Sequence, residues 1–142
     1  MICPTTSRKR AFQQNLHIGY LLLQNKKAQE IGKSFTIAIV DESGVLKSFS
    51  RMDGAPVVGI QIAQDKAYTA AGFQFPTDVW NKIIKDDPAL AAAAQTGIDR
   101  LVIFGGGYPI KVDDQVIGGV GVSGGHYTED MEVAKAALSI LE

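Results

Sequence analysis

The sequence is poor in several residue types that carry chemistry. Of its 142 residues, one is cysteine, two are histidine and one is tryptophan. A lone cysteine, Cys3, excludes a disulfide framework within the chain and leaves a cysteine-based zinc site without its ligands. That usage suits a reducing compartment, so the expected location is cytoplasmic. An excess of charge is missing too: 14 Lys and Arg stand against 15 Asp and Glu, a net charge of −1. Such a chain has no basic field to hold a phosphate backbone, and nucleic acid is not an expected partner. No apolar run approaches the ~20 residues of a membrane span, so no membrane partner is expected. The opening MICPTTSRKR is polar and basic, and the AFQQNLHIGYLLLQ after it is too interrupted for a secretory signal core.

Apolar residues make up 46% of the chain, and 15 residues are glycine. This length supports one compact domain with a substantial core. Residues 1–10 read as a disordered or frayed start, and residues 11–142 as a single domain.

Hydrophobic spacing predicts a helix over Ala11–Gly32, with Gly32 as its stop. SFTIAIVD (Ser34–Asp41) and VLKSFSRM (Val45–Met52) read as two strands joined by a Glu42–Gly44 turn. DGAP breaks the chain. Val57–Phe73 then carries Ile60, Ala63, Ala67 and Ala71 at helical spacing, a stripe small enough for close packing. Asp78–Ile84 and Pro88–Gln95 read as short helices. Arg100–Gly106, Tyr108–Val112 and Gln115–Ser123 read as three further strands, the last two joined by a two-residue Asp113-Asp114 turn. Thr128–Leu141 is the most regular helical pattern, with Thr128 as expected N-cap and Glu129 and Asp130 facing the dipole. The expected class is α+β, a five-stranded antiparallel sheet flanked by helices on both faces.

Glycine is concentrated in two places. GGVGVSGGHYTED contains Gly119, Gly121 and Gly124 in the spacing G-x-G-x-x-G. A dinucleotide fingerprint must open a βαβ unit with an acidic residue about 20 residues further on. Here one helix follows and the preceding strand pairs as a hairpin, so that reading is set aside. Two remain. In one, the turn amides of Ser123, Gly124 and Gly125 and the helix start form an anion site. In the other, the glycines only allow a helix to lie close on the sheet. Gly105, Gly106 and Gly107 raise the same question at another strand end.

FGGGYPIKVDDQVIGGVGVSGGHYTED, SRMDGAP and QDKAYTAA together resemble the GlcG/HbpS-like family, also called the haem-degrading domain family. The similarity runs roughly from Ala28 to Leu141. It implies the five-stranded antiparallel sheet in a profilin-like α/β/α sandwich, and assembly into homo-oligomers. It also implies haem as a candidate cofactor, bound by some members. Two departures stand out: His126 replaces a residue that is often small and hydroxylated, and FPTDVWNKIIKDDPAL differs from its counterpart in haem-binding members. Both point to a subfamily with another ligand.

The candidate site follows. His126, between the diglycine and the helix, is the candidate catalytic residue and a ligand-binding residue: a neutral imidazole can ligate iron or act as a general base. Its alternative is a capping or surface role. Lys66 can anchor an anionic group or snorkel, and Thr69, nearly one turn on, offers a hydroxyl. Arg51 can hold a carboxylate bidentately, or pair with Asp53 or a neighbouring subunit. Gly105, Gly106, Gly107, Ser123, Gly124 and Gly125 would frame the ligand. Glu129 and Asp130 read first as helix-start charges. Tyr108 and Trp80 are stacking candidates that more often serve a core. Cys3-Pro4 superficially resembles a haem-regulatory dipeptide. No metal site is expected within the chain.

The expected function is a small-molecule-binding protein whose ligand is haem or a small anionic metabolite. The alternatives are an enzyme acting on a small hydroxy or oxo acid with His126 as base and glycine amides as an oxyanion nest, and a redox-sensing or accessory subunit.

Overall fold

The structure, a computed structural model, describes residues 17–139. The expected frayed start, the Cys3-Pro4 dipeptide and the first turns of the first predicted helix lie outside them.

Among the described residues, nine elements follow in order. Helix α1 (His17–Ile31) leads to strands β1 (Thr36–Asp41) and β2 (Leu46–Arg51). Helices α2 (Gly59–Phe73), α3 (Val79–Lys85) and α4 (Pro88–Gly97) come next. Strands β3 (Gly107–Val112) and β4 (Gln115–Ser123) and helix α5 (Tyr127–Leu138) complete the fold. The sheet is antiparallel with order β2-β1-β4-β3.

The local chemistry explains the boundaries. Gly32 lies at φ 78 and its N–H bonds Ala28 O at 3.0 Å, closing α1 as a left-handed C′ residue. Asp87 Oδ1 accepts from Leu90 N at 2.9 Å, capping α4 one residue before Pro88. Asp113 and Asp114 both take positive φ, 52 and 63, as a two-residue turn with matching twist requires.

The expected count of five strands is corrected to four among the described residues. Arg100–Gly106 is not a strand. Leu101 and Val102 are buried, which is why the segment reads as one. Its backbone, however, bonds a side chain: Thr69 Oγ1 accepts from Val102 N at 3.1 Å and donates to Arg100 O at 2.9 Å. Arg100 also sits at φ 60, outside strand geometry.

The sheet is covered on both faces. On one, Tyr20 and Ala28 of α1 and Val133 and Ala134 of α5 pack against Ile37, Ile39, Ile110, Val120 and Val122. On the other, Ala63, Ala67 and Ala71 of α2 lie on Ala38 and Val40. Ala38, Gly121 and Gly107 stand side by side across three strands under α2. A Cβ on Gly121 would collide with Ala63 O and Ala67 N, and one on Gly119 with Ala67 O. The strand glycines therefore let a helix backbone approach the sheet. Trp80, Ala94 and Leu101 form a third cluster that attaches α3 and α4.

Candidate functional site

The second glycine group makes room for side chains. A Cβ on Gly105 would come within 2.5 Å of Met131 Sδ and 3.4 Å of Tyr127 Cδ2. Gly106, at φ +119, leaves space for the Lys66 ammonium: a Cβ there would stand 2.7 Å from Nζ. Gly107 lies against the backbone of α2 and against Thr77, whose hydroxyl accepts from Gly107 N at 3.0 Å.

Lys66 is completely buried. Its Nζ donates to Val122 O and to Asp130 Oδ2, both at 2.8 Å, and lies 4.9 Å from the centre of the Phe104 ring. Asp130, also buried, accepts from Gly125 N at 3.0 Å through Oδ1. One ion pair thus joins α2, the end of β4, the diglycine turn and α5. Burial pushes the Lys66 pKa down against the favourable charge of Asp130, and burial pushes the Asp130 carboxyl up against the favourable charge of Lys66.

The start of α5 differs from the expected cap. His126, not Thr128, holds the N-cap position, because the amides of Glu129 and Asp130 bond its carbonyl at 2.9 and 3.0 Å. Glu129 Oε1 reaches back to His126 N at 2.9 Å, the carboxylate half of a capping box. Thr128 instead holds the His126 ring, Oγ1 to Nδ1, at 2.9 Å. The Lys33 ammonium hydrogen-bonds Glu129 at 2.8 Å and, with the His126 amide, holds its carboxyl below the usual range.

A crevice of about 110 Å³ opens beside this corner, lined by Asp78, Asn81, Phe104, Gly105 and Tyr127. Phe104 is 44% and Tyr127 48% exposed. The exposed His126 ring lies on Tyr127 with centroids 4.3 Å apart. Behind it, Tyr108 is buried, and burial together with the Asp78 charge pushes its phenol up to about 12.

The predicted residues therefore divide. Lys66, Gly106, Ser123, Gly124, Gly125 and His126 converge on the junction of β4 and α5, with Gly105 and Gly107 beside them. Thr69 is turned to the backbone of residues 100–102. Arg51 lies elsewhere, its Nε and one terminal nitrogen donating to Ala55 O at 3.2 and 2.7 Å, which closes the DGAP turn. Trp80 packs edge-on against Phe73, centroids 4.8 Å apart. Phe104 and Tyr127, the exposed rings of the crevice, were not singled out from sequence. The available signal was two aromatic residues close to glycine-rich turns, Phe104 directly before Gly105 and Tyr127 two residues after Gly125. Among the described residues no group of three or more His, Cys, Asp or Glu side chains could hold a metal ion, and no helix is long and apolar enough to cross a membrane.

Residues 20–139 match the model of the haem degrading protein HbpS-like family. The chain belongs to that family. It is 38% identical over 112 residues to an uncharacterized 15.0 kDa protein of the dhaT-dhaS intergenic region of Citrobacter freundii, covering 79% of each. It is 33% identical over 115 residues to the protein GlcG of Escherichia coli, covering 81% of this chain and 83% of GlcG. Among solved structures, the Klebsiella pneumoniae protein ORFY superposes with a TM-score of 0.83 at 32% identity, covering 89% of this chain and 87% of ORFY. A PduOC:heme complex superposes with a TM-score of 0.80 at 27% identity, covering 89% of this chain and 91% of that one. An antiparallel sheet carrying helices is thus shared by this HbpS-like chain and its solved relatives.

Proposed function

We propose that this HbpS-like protein binds a small flat ligand, with haem the first candidate, on the surface formed by Phe104, Gly105, His126 and Tyr127. The supporting observation is the pair of exposed rings that line one crevice, Phe104 and Tyr127, with the exposed His126 ring 4.3 Å from Tyr127. Apolar and aromatic groups exposed side by side around a groove mark ligand or partner sites more often than singly scattered ones do. A relative of the same fold is a haem complex, which favours haem among flat ligands.

The residues fit haem in the donor they offer. With Nδ1 of His126 held by Thr128, Nε2 is left as the nitrogen for iron. Phe104 and Tyr127 would lie against the macrocycle. At about 110 Å³ the crevice takes the edge of such a ring and does not enclose it. Bound haem would supply an iron centre for redox or ligand chemistry. The protein's part is to hold and orient: Thr128 fixes the imidazole, and the Lys66–Asp130 pair fixes the turn that carries it.

Anion binding at the glycine amides has less support. Gly125 N–H is already engaged by Asp130 and His126 N–H by Glu129, so neither is open as an oxyanion donor. The Lys66 ammonium likewise has acceptors within the chain.

Calorimetric titration with haemin tests the surface. The parent should saturate at a defined stoichiometry. Phe104→Ala/Tyr127→Ala should bind at least tenfold more weakly, since each aromatic contact contributes about 0.5–1.5 kcal/mol beyond its area. Absence of saturation in the parent, or an unchanged isotherm in the variant, would exclude this surface.

A further inference from the structure

A second cavity, larger than the crevice, lies away from it. It measures about 470 Å³ and is lined in part by Glu42, Gly44, Tyr68, Phe73, Gly97 and Asp99. That size is within the range of small-molecule sites. We propose that this cavity is a second ligand site, one that takes a small organic ammonium ion.

Three kinds of feature in the lining share one electrostatic sign. Asp99 brings an exposed carboxylate from just after α4, and Glu42 of the β1–β2 turn adds to the acidic lining. Tyr68 and Phe73 bring aromatic rings, 37% and 39% exposed, whose faces attract cations. Phe73 closes α2 and Gly97 closes α4, so two helix C-termini end at the cavity. Neither helix has a basic residue in its last turn, so the negative ends of both dipoles are not offset from within.

The Tyr68 ring already shows this preference. The Arg100 guanidinium carbon lies 4.0 Å from its centroid, while Arg100 Nε is tied to Asp65 Oδ1 at 2.8 Å. That cation therefore carries its own counter-ion. Gly44, at φ +78, keeps the ring close to the β1–β2 turn: a Cβ there would come within 2.7 Å of Tyr68 Cδ2. The wall is thus held by backbone geometry. An ammonium with a short apolar stem meets this lining, its charge against Asp99 and the ring faces and its stem along the apolar edges of the rings.

Amide NMR titration with choline chloride and n-butylammonium chloride tests the assignment, with sodium butyrate as the anion of similar size. At least one cation should shift the Gly44, Phe73 and Gly97 amides saturably, while butyrate leaves them in place. Asp99→Asn, an exposed change that leaves packing intact, should weaken the effective cation at least fivefold. The assignment is overturned if neither cation saturates, if butyrate produces the same shifts, if the shifts lie elsewhere, or if Asp99→Asn binds as the parent does.

Discussion

Lys66 lies among the alanines of α2 and is the one long charged side chain that this helix buries completely. Sequence spacing placed it on the flank of the packing face but left its partner open, because Asp130 is 64 residues away. The pair is held by geometry and not by cheap desolvation, since burial opposes the charge on each member. Removing one partner should therefore be worse than removing both. Lys66→Met or Asp130→Leu alone should lower unfolding free energy by about 3–5 kcal/mol, and Lys66→Met/Asp130→Leu should recover most of it. Urea titration of the three variants reads this, and equal losses in single and double variants would contradict it. Both members of the pair make stability depend on pH. Lys66 releases its proton at lower pH when folded than when unfolded, so between its lowered value and 10.5 stability rises with pH. Asp130 is raised, so stability falls as pH climbs from 3.8 through its folded value. The double variant should lack both slopes.

At the scale of elements, β4 and α2 fit because β4 presents no side chain where the helix backbone passes. Gly121→Val should cost at least 3 kcal/mol, because the collision is with Ala63 O and Ala67 N, backbone atoms of a packed helix. Val122→Ala, on the opposite face, removes volume without forcing the helix away and should leave α2 in register. Backbone amide exchange separates the two: α2 should lose protection in the first only, and retention of that protection would refute the close-packing account. Much of this was legible beforehand. The alanine stripe and the strand glycines both signalled close approach, and the Asp113-Asp114 turn followed from the spacing of its flanking strands. The segment 100–106 was misread as a strand for a physical reason. Its apolar residues are buried as a strand's would be, yet Arg100 O and Val102 N bond the hydroxyl of Thr69, a partner 33 residues before Val102 that no local pattern reveals.

For the whole molecule, the helix-covered sheet is the architecture shared with the solved HbpS-like relatives, while the proposed ligand surface lies at one corner where β4 meets α5. His126 stood out in the sequence beside its glycines, but Phe104 did not, since only the fold brings residue 104 against Tyr127. The direct measurement is a visible-absorption titration of haemin with the parent and with His126→Ala, a change of an exposed side chain. The account predicts a saturable Soret shift in the parent that is lost in His126→Ala. A shift of the same size and stoichiometry in His126→Ala, or none in the parent, would contradict it.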